Sequence, residues 1–341
     1  RSSDLRVETD NTYPYRNLAM EEYMTLHVPQ GTCILYLWQN RHTVVIGKNQ
    51  NCWRECRVNF LEQENGYLVR RLSGGGAVFH DLGNLNFTFI VGAGDYDVSR
   101  QLDVILEAVR SLGIHAEKTG RNDITVDGRK FSGNAFYRTG DGCYHHGTIL
   151  IRADKENMSR YLNVSKEKLA SKGVTSVKSR VANLCEFKPD ITLEEVKSAL
   201  VEAFSKVYGQ PAVRMEEGEL PQPDIDARTE KFASWQWKYG RKIPFEYEME
   251  KRFPWGNIQI QFHVDEGMIQ DVNVFSDAMD QEMIGMLAEQ LKGCAYAEED
   301  ICRAVKAMGT DAFQAGEYTG ADEPQSCRIK EDIMTLVRES L

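Results

Sequence analysis

Two adjacent arginines precede three consecutive glycines in the segment RRLSGGGAVFHD, residues 70–81. Arginine guanidinium groups bind carboxylate or phosphate oxygens through paired hydrogen bonds. Glycine lacks a Cβ, so the backbone amides of residues 74–76 can approach a phosphate or an acyl chain closely. The segment therefore indicates binding of an anionic ligand. A glycine-rich turn between strands, flanked by solvated arginines, is the structural alternative.

A second polar cluster follows in GRNDITVDGRKFSGNAF, residues 120–136. Asn122 and Asp123 offer oxygen atoms, which magnesium and other hard cations prefer as ligands. Lys130 follows a tight turn and lies near Gly133, where the absence of a side chain leaves room for a ligand. A lone lysine on a strand is commonly just solvated. Its combination with two arginines, an Asn-Asp pair and two glycine-rich segments favours a binding site.

Three of the seven histidines lie in or beside these motifs: His80, His145 and His146. Each could instead be a structural histidine with its hydrogen bonds satisfied. The sequence supports neither a Ser-His-Asp nor a Cys-His arrangement, because nothing in it fixes their geometry.

Short strands and amphipathic helices must position these residues. A hairpin turn is predicted at Asp127-Gly128, and a second hairpin is predicted around residues 82–84. Residues 53–65 have helical spacing, and a helix over 98–112 should end at Gly113. Apolar runs predict strands over 33–39, 43–47, 67–72, 77–81, 85–91, 124–126, 130–137 and 143–151. A further helix is predicted over 193–208.

Composition changes after residue 208. The segment 209–230 is rich in proline and carboxylates, and it is expected to be a connection or surface excursion. Beyond it, strands are predicted for 244–250, 257–264 and 268–275, with a turn at Glu266-Gly267, and helices for 279–292, 297–308 and 329–340. We therefore expect a domain boundary near residue 245.

Composition excludes several classes of protein. The chain has 341 residues, 42% apolar and 27% charged, which is ordinary for a globular protein. A net charge of -10 argues against general nucleic-acid binding. No apolar run approaches the roughly 20 residues of a membrane helix, and the first residues lack the pattern of a secretory signal. The eight cysteines show no CxxC pair or zinc spacing, which predicts reduced thiols in a cytoplasmic protein.

Long motifs resemble those of lipoate-protein ligases of the bacterial type with an accessory C-terminal domain. They are NLAMEEYM (17–24), WQNRHTVVIGKNQN (38–51), RRLSGGGAVFHD (70–81), GRNDITVDGRKFSGNAF (120–136), HHGTILI (145–151), KGVTSVKSRVANL (172–184) and WQWKYGRKIPF (235–245). The resemblance implies an α+β fold: a biotin/lipoate-ligase-like catalytic domain with mixed and antiparallel sheet in residues 1–245, and a small α+β accessory domain in 246–341.

The resemblance also implies a two-step reaction. Free lipoate and ATP, with Mg²⁺, would give lipoyl-AMP and pyrophosphate. The lipoyl group would then pass to a specific lysine of an acceptor: the lipoyl domain of a 2-oxoacid dehydrogenase E2 subunit or the glycine-cleavage H protein. By the same resemblance we expect a monomer.

The resemblance assigns roles residue by residue, with Lys130 as the essential catalytic lysine that contacts both the carboxylate and the α-phosphate. Residues implied to bind ATP are Arg71, Gly76, Ala77, Val78, Phe79, Asn122, Asp123 and Lys130, with Asp123 also implied as a magnesium ligand. Residues implied to bind lipoate are Glu21, Trp38, Arg70, Gly75, His80, Lys130, Ala135 and His146.

Two alternatives remain open. An octanoyl- or lipoyl-amidotransferase of the same fold would need a cysteine nucleophile, and none lies in residues 115–130; Cys143 is the nearest thiol on the far side of Lys130. Another variant would use premade lipoyl-AMP. A non-catalytic lipoate-binding relative would be expected to have lost its charged groups, yet the arginines, Asp123 and Lys130 are all present.

Overall fold

A computed structural model describes residues 4–119, 123–163, 180–309 and 325–341. Within these residues the chain forms two compact units. The first contains residues 4–45, 53–70 and 78–238, and the second contains 46–52, 71–77 and 239–341. Among the described residues, no helix combines the length and the apolar character needed to cross a bilayer.

The first unit is built around an eight-stranded mixed sheet. Its strands are β1 (Leu5–Glu8), β2 (Cys33–Trp38), β6 (Asn84–Gly92), β7 (Glu117–Thr119), β8 (Asp123–Val126), β9 (Arg129–Arg138), β10 (Gly142–Leu150) and β11 (Val213–Met215), in the order β11-β1-β2-β6-β10-β9-β8-β7. Among the described strands of this sheet, β1 pairs in parallel with β11 and with β2, and the other neighbouring strands pair antiparallel. The central strands β2 and β6 are buried along their whole length, as their apolar runs predict.

Helices cover both faces of this sheet. Helix α1 (Pro14–His27) lies on the sheet with α7 (Gln222–Ala233) packed against it, and α6 (Leu193–Tyr208) lies on the sheet with α4 (Val98–Ser111) packed against it. The shorter helices α2 (Cys52–Glu55), α3 (Val58–Gln63), α5 (Lys155–Tyr161) and α8 (Trp235–Tyr239) lie elsewhere along the chain. Thr88 bonds to Glu21 of α1, whereas the ring of Phe89 contacts Phe204 of α6. Successive strand residues point to opposite faces, so α1 and α6 lie on opposite sides of the sheet.

Sequence signals explain where the principal helices begin and end. Asp97 caps α4 by accepting a hydrogen bond from the Arg100 backbone, and Thr192 caps α6 in a capping box with Glu195. Helix α6 ends at Gly209, whose φ of 77° is costly for other residues. The helices predicted over 98–112 and 193–208 are confirmed.

The predicted hairpin around residues 82–84 is wrong. Strand β5 (Val78–His80) pairs with β3 (Thr43–Ile46) in a separate sheet of order β4-β3-β5, where β4 is Tyr67–Arg70, while β6 belongs to the large sheet. The Gly83 carbonyl accepts hydrogen bonds from the backbones of Ile151 and Arg152. The turn is thus held by the end of β10, a contact distant in sequence, and its two flanking strands diverge.

Two other predictions need correction. The helix predicted over 53–65 is interrupted, because Cys56 bridges to Leu162 and the Arg57 amide bonds to the Tyr161 carbonyl. The segment 209–230 contains most of helix α7, which begins at Gln222 with a proline in its first turn. Proline is tolerated there because the first amides of a helix have no intrahelical partner.

The second unit contains a three-stranded antiparallel sheet of β12 (Tyr247–Phe253), β13 (Gly256–Asp265) and β14 (Met268–Ser276). Helices α9 (Gln281–Leu291), α10 (Glu298–Ala307) and α11 (Gln325–Ser340) accompany it, and their apolar residues form one buried cluster with those of the sheet. The strands and helices predicted for this part of the chain are confirmed, and so is the α+β fold class. The turn at Glu266-Gly267 has positive φ at both residues.

Candidate functional site

Lys130 owes its position to a tight turn followed by a bulge. Asp127 and Gly128 have φ of 49° and 71°, the backbone of the predicted hairpin turn between β8 and β9. The register then shifts: Thr125 pairs with Lys130, whereas Ile124 pairs with Ser132. The extra residue of a bulge re-aims the side chains beside it. As a result, a Cβ placed on Gly133 would lie 2.6 Å from the Lys130 Nζ.

One carboxylate holds two cations at this place. Asp123 Oδ1 lies 2.7 Å from Lys130 Nζ, and Asp123 Oδ2 accepts a 2.8 Å hydrogen bond from Arg180 Nη2. The three side chains are only about one-fifth exposed, with fractions of 21%, 19% and 24% for Lys130, Asp123 and Arg180. Partial burial weakens the competition of water for these charges. The group, which we call the Asp123 triad, carries one net positive charge.

A second polar group lies under helix α1, where a cross-strand row of side chains crosses four strands. Tyr36, Thr88, His146 and Ala135 are aligned in register on β2, β6, β10 and β9. Glu21 Oε1 accepts a 2.7 Å hydrogen bond from Thr88 Oγ1 and lies 2.8 Å from His146 Nδ1. Glu21 is 1% exposed. A buried carboxylate requires such partners, because leaving it unpaired is costly.

Trp38 and His80 extend this group. Trp38 Nε1 donates a 3.0 Å hydrogen bond to Thr88 Oγ1, and its ring stacks on that of Tyr36. The His80 ring makes an edge contact with Trp38, and its Nδ1 lies 3.2 Å from the Asn40 amide. The structure therefore brings together Glu21, Trp38, His80 and His146, with Ala135 beside His146. Trp38, Thr88, Glu21 and His146 share one buried hydrogen-bond network, and the rings of Tyr36 and His80 contact Trp38.

The bulge places the Asp123 triad on the same face of the sheet. Gly133 and Ala135 are two residues apart on β9 and so share a face. The Lys130 ammonium lies over Gly133, and Ala135 is beside His146. The face covered by α1 therefore carries both the predicted acyl-pocket residues and the predicted catalytic lysine.

His145 has a different role from its neighbour. It faces the opposite side of the sheet, where its ring packs against Phe87, Phe89 and Phe136. Its Nε2 lies 2.8 Å from Asn134 Oδ1. Burial, aided by nearby His146 and Lys118, lowers the pKa of His145 to about 3. His145 is thus a neutral structural histidine at ordinary pH.

Arg70 is engaged by backbone carbonyls within the first unit. Its Nε and Nη2 donate hydrogen bonds of 2.9 and 2.8 Å to the carbonyls of Trp237 and Lys238. Trp237 Nε1 in turn donates to the Arg70 carbonyl. These contacts give the buried guanidinium a structural role in holding α8. Its predicted role in lipoate binding stays a prediction.

The glycine run belongs to the second unit and packs against residues 278–279. The Gly75 amide donates a 2.9 Å hydrogen bond to the Ala278 carbonyl. Gly75 has a φ of +88°, and a Cβ there would lie 3.0 Å from Met279 Sδ. Arg71 encloses the run by donating to the carbonyls of Gly74 and Gly76. Glycine is required here by close backbone approach and by backbone conformation together.

The remaining predicted nucleotide-binding residues differ in burial. Ala77 and Val78 are partly buried, and Phe79 is buried, with its ring stacked on Tyr161. Asn122 lies outside the described residues, as does the 172–179 part of the motif KGVTSVKSRVANL.

The described residues do not fit a magnesium site held by the protein. Among them, no three His, Cys, Asp or Glu side chains are grouped as metal ligands. The Asp123 oxygens face an ammonium and a guanidinium, which would repel a divalent ion. Magnesium can instead be carried largely by the phosphates of a nucleotide.

Thr88 and Arg180 are among the residues of these groups that the sequence did not assign. Thr88 connects Trp38 to Glu21, but only the pairing of β2, β6 and β10 reveals this. Arg180 lies in the motif KGVTSVKSRVANL, one of those that carry the family resemblance, and this was the sequence signal that could have identified it as a site residue.

The fold is a biotin/lipoate-ligase-like α+β domain followed by a C-terminal domain, and the chain belongs to the lipoate-protein ligase family. Residues 13–205 match the model of the lipoyl protein ligase A/B catalytic domain, and residues 242–320 match that of the bacterial lipoate protein ligase C-terminus.

Solved structures of ligases resemble the chain. P. falciparum LipL1 in complex with lipoate is 29% identical with a TM-score of 0.83, over 97% of this chain and 99% of that one. A bipartite lipoate protein ligase from Thermoplasma acidophilum, solved as part of a system with its E2 lipoyl domain, is 26% identical with a TM-score of 0.63, over 71% and 99%. A lipoate-protein ligase A bound with ATP is 25% identical with a TM-score of 0.61, over 70% and 99%.

Proposed function

We propose that this protein activates free lipoate with ATP and transfers the lipoyl group to a lysine of a lipoyl-carrier domain. The lipoate carboxylate attacks the α-phosphorus, pyrophosphate leaves, and lipoyl-AMP remains. The acceptor amine then attacks the acyl carbon and AMP leaves. Structures of related ligases with lipoate and with ATP support both substrates. The T. acidophilum system supports an E2 lipoyl domain as acceptor, and the H protein is proposed beside it.

The observation that carries this proposal is the position of Lys130. The first step brings a carboxylate and a phosphate together, so a catalyst must offset the repulsion of two anions. Lys130 is held by Asp123 on the sheet face that also carries Trp38 and His146, and Glu21 of α1 contacts His146 from above this face. We assign Lys130 to the lipoate carboxylate and the α-phosphate as the catalytic residue.

We assign the acyl chain and dithiolane to the group under α1. Trp38, Ala135 and the ring of His80 supply apolar and aromatic surface, and the buried Glu21–His146 pair fixes the orientation of the histidine ring. A mostly apolar pocket with few positioned polar groups suits a ligand of this kind. Gly75 and Arg70 are proposed as further lipoate-binding residues.

We assign the nucleotide to Arg71 and the segment 76–79, with Asn122 and Asp123 close to the phosphates. The carbonyls of Gly76 and its neighbours can accept hydrogen bonds from an adenine edge, and Arg71 fixes the conformation of this segment through Gly74 and Gly76. Magnesium is proposed only as the partner of ATP, and no step is assigned to it. We propose a cytoplasmic monomer with catalytic residues in 1–245 and the accessory domain in 246–341.

The amidotransferase alternative requires a reactive thiol. Cys143 is fully shielded from solvent on β10, and burial raises the pKa of its thiol to about 11. A thiol in this state is not a competent nucleophile at neutral pH. This observation favours ATP-dependent activation over transfer through an acyl-cysteine.

The deciding experiment follows the mass of a purified E2 lipoyl domain incubated with the protein and free lipoate. We expect a gain of one lipoyl group only when ATP is present, and no gain when the acceptor lysine is replaced by arginine. Modification without ATP, from an acylated carrier protein, would overturn the proposal in favour of an amidotransferase.

A further inference from the structure

Arg180 and Lys130 share one carboxylate, and this arrangement suits the recognition of a second, exchangeable anion. Asp123 offsets one of the two positive charges and leaves the triad with a net charge of +1. The contact with Asp123 uses one of the five N–H groups of the guanidinium. A planar guanidinium can therefore present further donors to phosphate oxygens while it remains held in place.

Backbone contacts hold the segment after Arg180 beside Lys130. Val181 forms a parallel bridge with Lys130, and the Ala182 amide donates a 2.8 Å hydrogen bond to the Lys130 carbonyl. Arg180 directly precedes this bridge in the chain. Its position beside Lys130 is consequently set by the backbone as well as by Asp123, as expected of a preorganised site.

We infer that Arg180 is a second binding residue for the α-phosphate of the nucleotide and of the acyl-adenylate, and that Asp123 positions both cations instead of binding magnesium. The inference rests on the proposed function. A lysine ammonium supplies one compact charge, whereas the guanidinium supplies directed hydrogen bonds to the phosphate oxygens as charge shifts during attack and departure. The Asp123 carboxylate holds both groups on the same side of β9.

The charge arrangement distinguishes this role from that of a metal ligand. Two cations lie within 2.8 Å of the Asp123 oxygens, and a divalent ion would have to displace at least one of them. Displacement would separate Lys130 or Arg180 from the carboxylate that positions it. A positioning role requires no such rearrangement.

The test compares AMP with adenosine, two ligands that differ by the α-phosphate. Affinities are measured by calorimetry in EDTA, so that magnesium makes no contribution. Wild-type protein should bind AMP more tightly than adenosine. Arg180→Gln should reduce this ratio by about 10-fold or more, because a charge-assisted hydrogen bond is lost, and it should raise the KM for supplied lipoyl-AMP. Arg180→Lys, which keeps the charge, should retain an intermediate ratio.

Arg129→Gln is the matched control. Arg129 is adjacent to Lys130 on β9 and pairs with Glu186 at 2.6 Å, so its replacement also removes a guanidinium from an ion pair. Its ratio of AMP to adenosine affinity should equal that of wild type. An unchanged ratio in both Arg180 variants, or the same loss in Arg129→Gln, would overturn the role of Arg180. Should Arg180→Gln fail to fold, the Arg180→Lys ratio decides: a wild-type value counts against the inference.

Asp123→Asn tests the positioning role. We expect this variant to reduce the ratio of AMP affinity to adenosine affinity in EDTA. The magnesium concentration that gives half-maximal pyrophosphate release should be unchanged. A higher magnesium requirement with a normal AMP ratio would show that Asp123 is a metal ligand, and no change in either quantity would also contradict the inference. Wild-type protein that forms no lipoyl-AMP would instead contradict the proposed function, which keeps the two failures separate.

Discussion

Replacing Gly133 by alanine should displace the Lys130 ammonium without unfolding the protein. The added Cβ would lie 2.6 Å from Nζ and 2.7 Å from Cε of Lys130, whereas ordinary contact begins at 3.4 Å. The end of the lysine must therefore move by about 1 Å, which also lengthens its 2.7 Å contact with Asp123. Misplacing a catalytic group by about 1 Å can reduce rate on the order of 10²-fold.

Stability should respond differently from rate. The clashing atoms belong to the flexible end of a side chain, which can rotate away at little cost. Alanine within a strand is more favourable than glycine by roughly 0.5–1 kcal/mol. We therefore expect an unchanged or slightly raised melting temperature for Gly133→Ala.

The assay measures pyrophosphate release from ATP and lipoate, alongside thermal unfolding. Gly140→Ala is the control, because a Cβ at Gly140 would meet nothing within 4 Å. It should behave as wild type in both measurements. A folded Gly133→Ala protein whose rate is within twofold of wild type would refute the claim that the position of Lys130 controls the first step.

Three further predictions concern individual side chains. Lys130→Ala should lower lipoyl-AMP formation by at least 10²–10³-fold with normal far-UV circular dichroism; retention of a tenth of the wild-type rate would exclude the assigned role. Gly75→Val should lower the free energy of unfolding by roughly 1–3 kcal/mol, because a branched residue is forced to a φ near +88° against Met279; urea unfolding that matches wild type would show that the segment relaxes. Burial lowers the pKa of His145 in the folded protein to about 3, below its unfolded value of about 6.5. The stability that the folded protein gains from a neutral His145 is therefore fully present above pH 6.5 and is lost as the pH falls toward 3. At pH 7.5 His145→Phe should lower the free energy of unfolding by about 1 kcal/mol, because the hydrogen bond to Asn134 is lost. As the pH falls from 6.5 to 4.5, the free energy of unfolding should decrease less for the variant than for wild type; parallel curves of stability against pH would contradict this assignment.

Local signals in the sequence predict much of the fold. The Asp127-Gly128 turn, the helix that begins after Asp97 and the helix that ends at Gly209 each depend on a few neighbouring residues. The incorrect predictions arise where contacts between segments distant in sequence determine the local structure. The helix through Cys56 is interrupted by pairing with Leu162, and β5 and β6 diverge because the turn between them binds the end of β10.

The same distinction applies to the site. Motif resemblance points to Lys130, Asp123, Glu21 and His146, but it does not reveal how they contact one another. The bulge between β8 and β9 aims Lys130 over Gly133, and the register of three strands brings Thr88 to Glu21. Adjacent His145 and His146 differ in role because a strand alternates its faces.

The most direct test of the central claim is the formation of lipoyl-AMP in the absence of any acceptor. Purified protein is incubated with ATP, lipoate and magnesium, and pyrophosphate and lipoyl-AMP are quantified together, with Lys130→Ala in parallel. The proposed function predicts both products in equal amounts with wild-type protein and neither with the variant. Transfer of an acyl group from a carrier protein without ATP, combined with no pyrophosphate release, would contradict it.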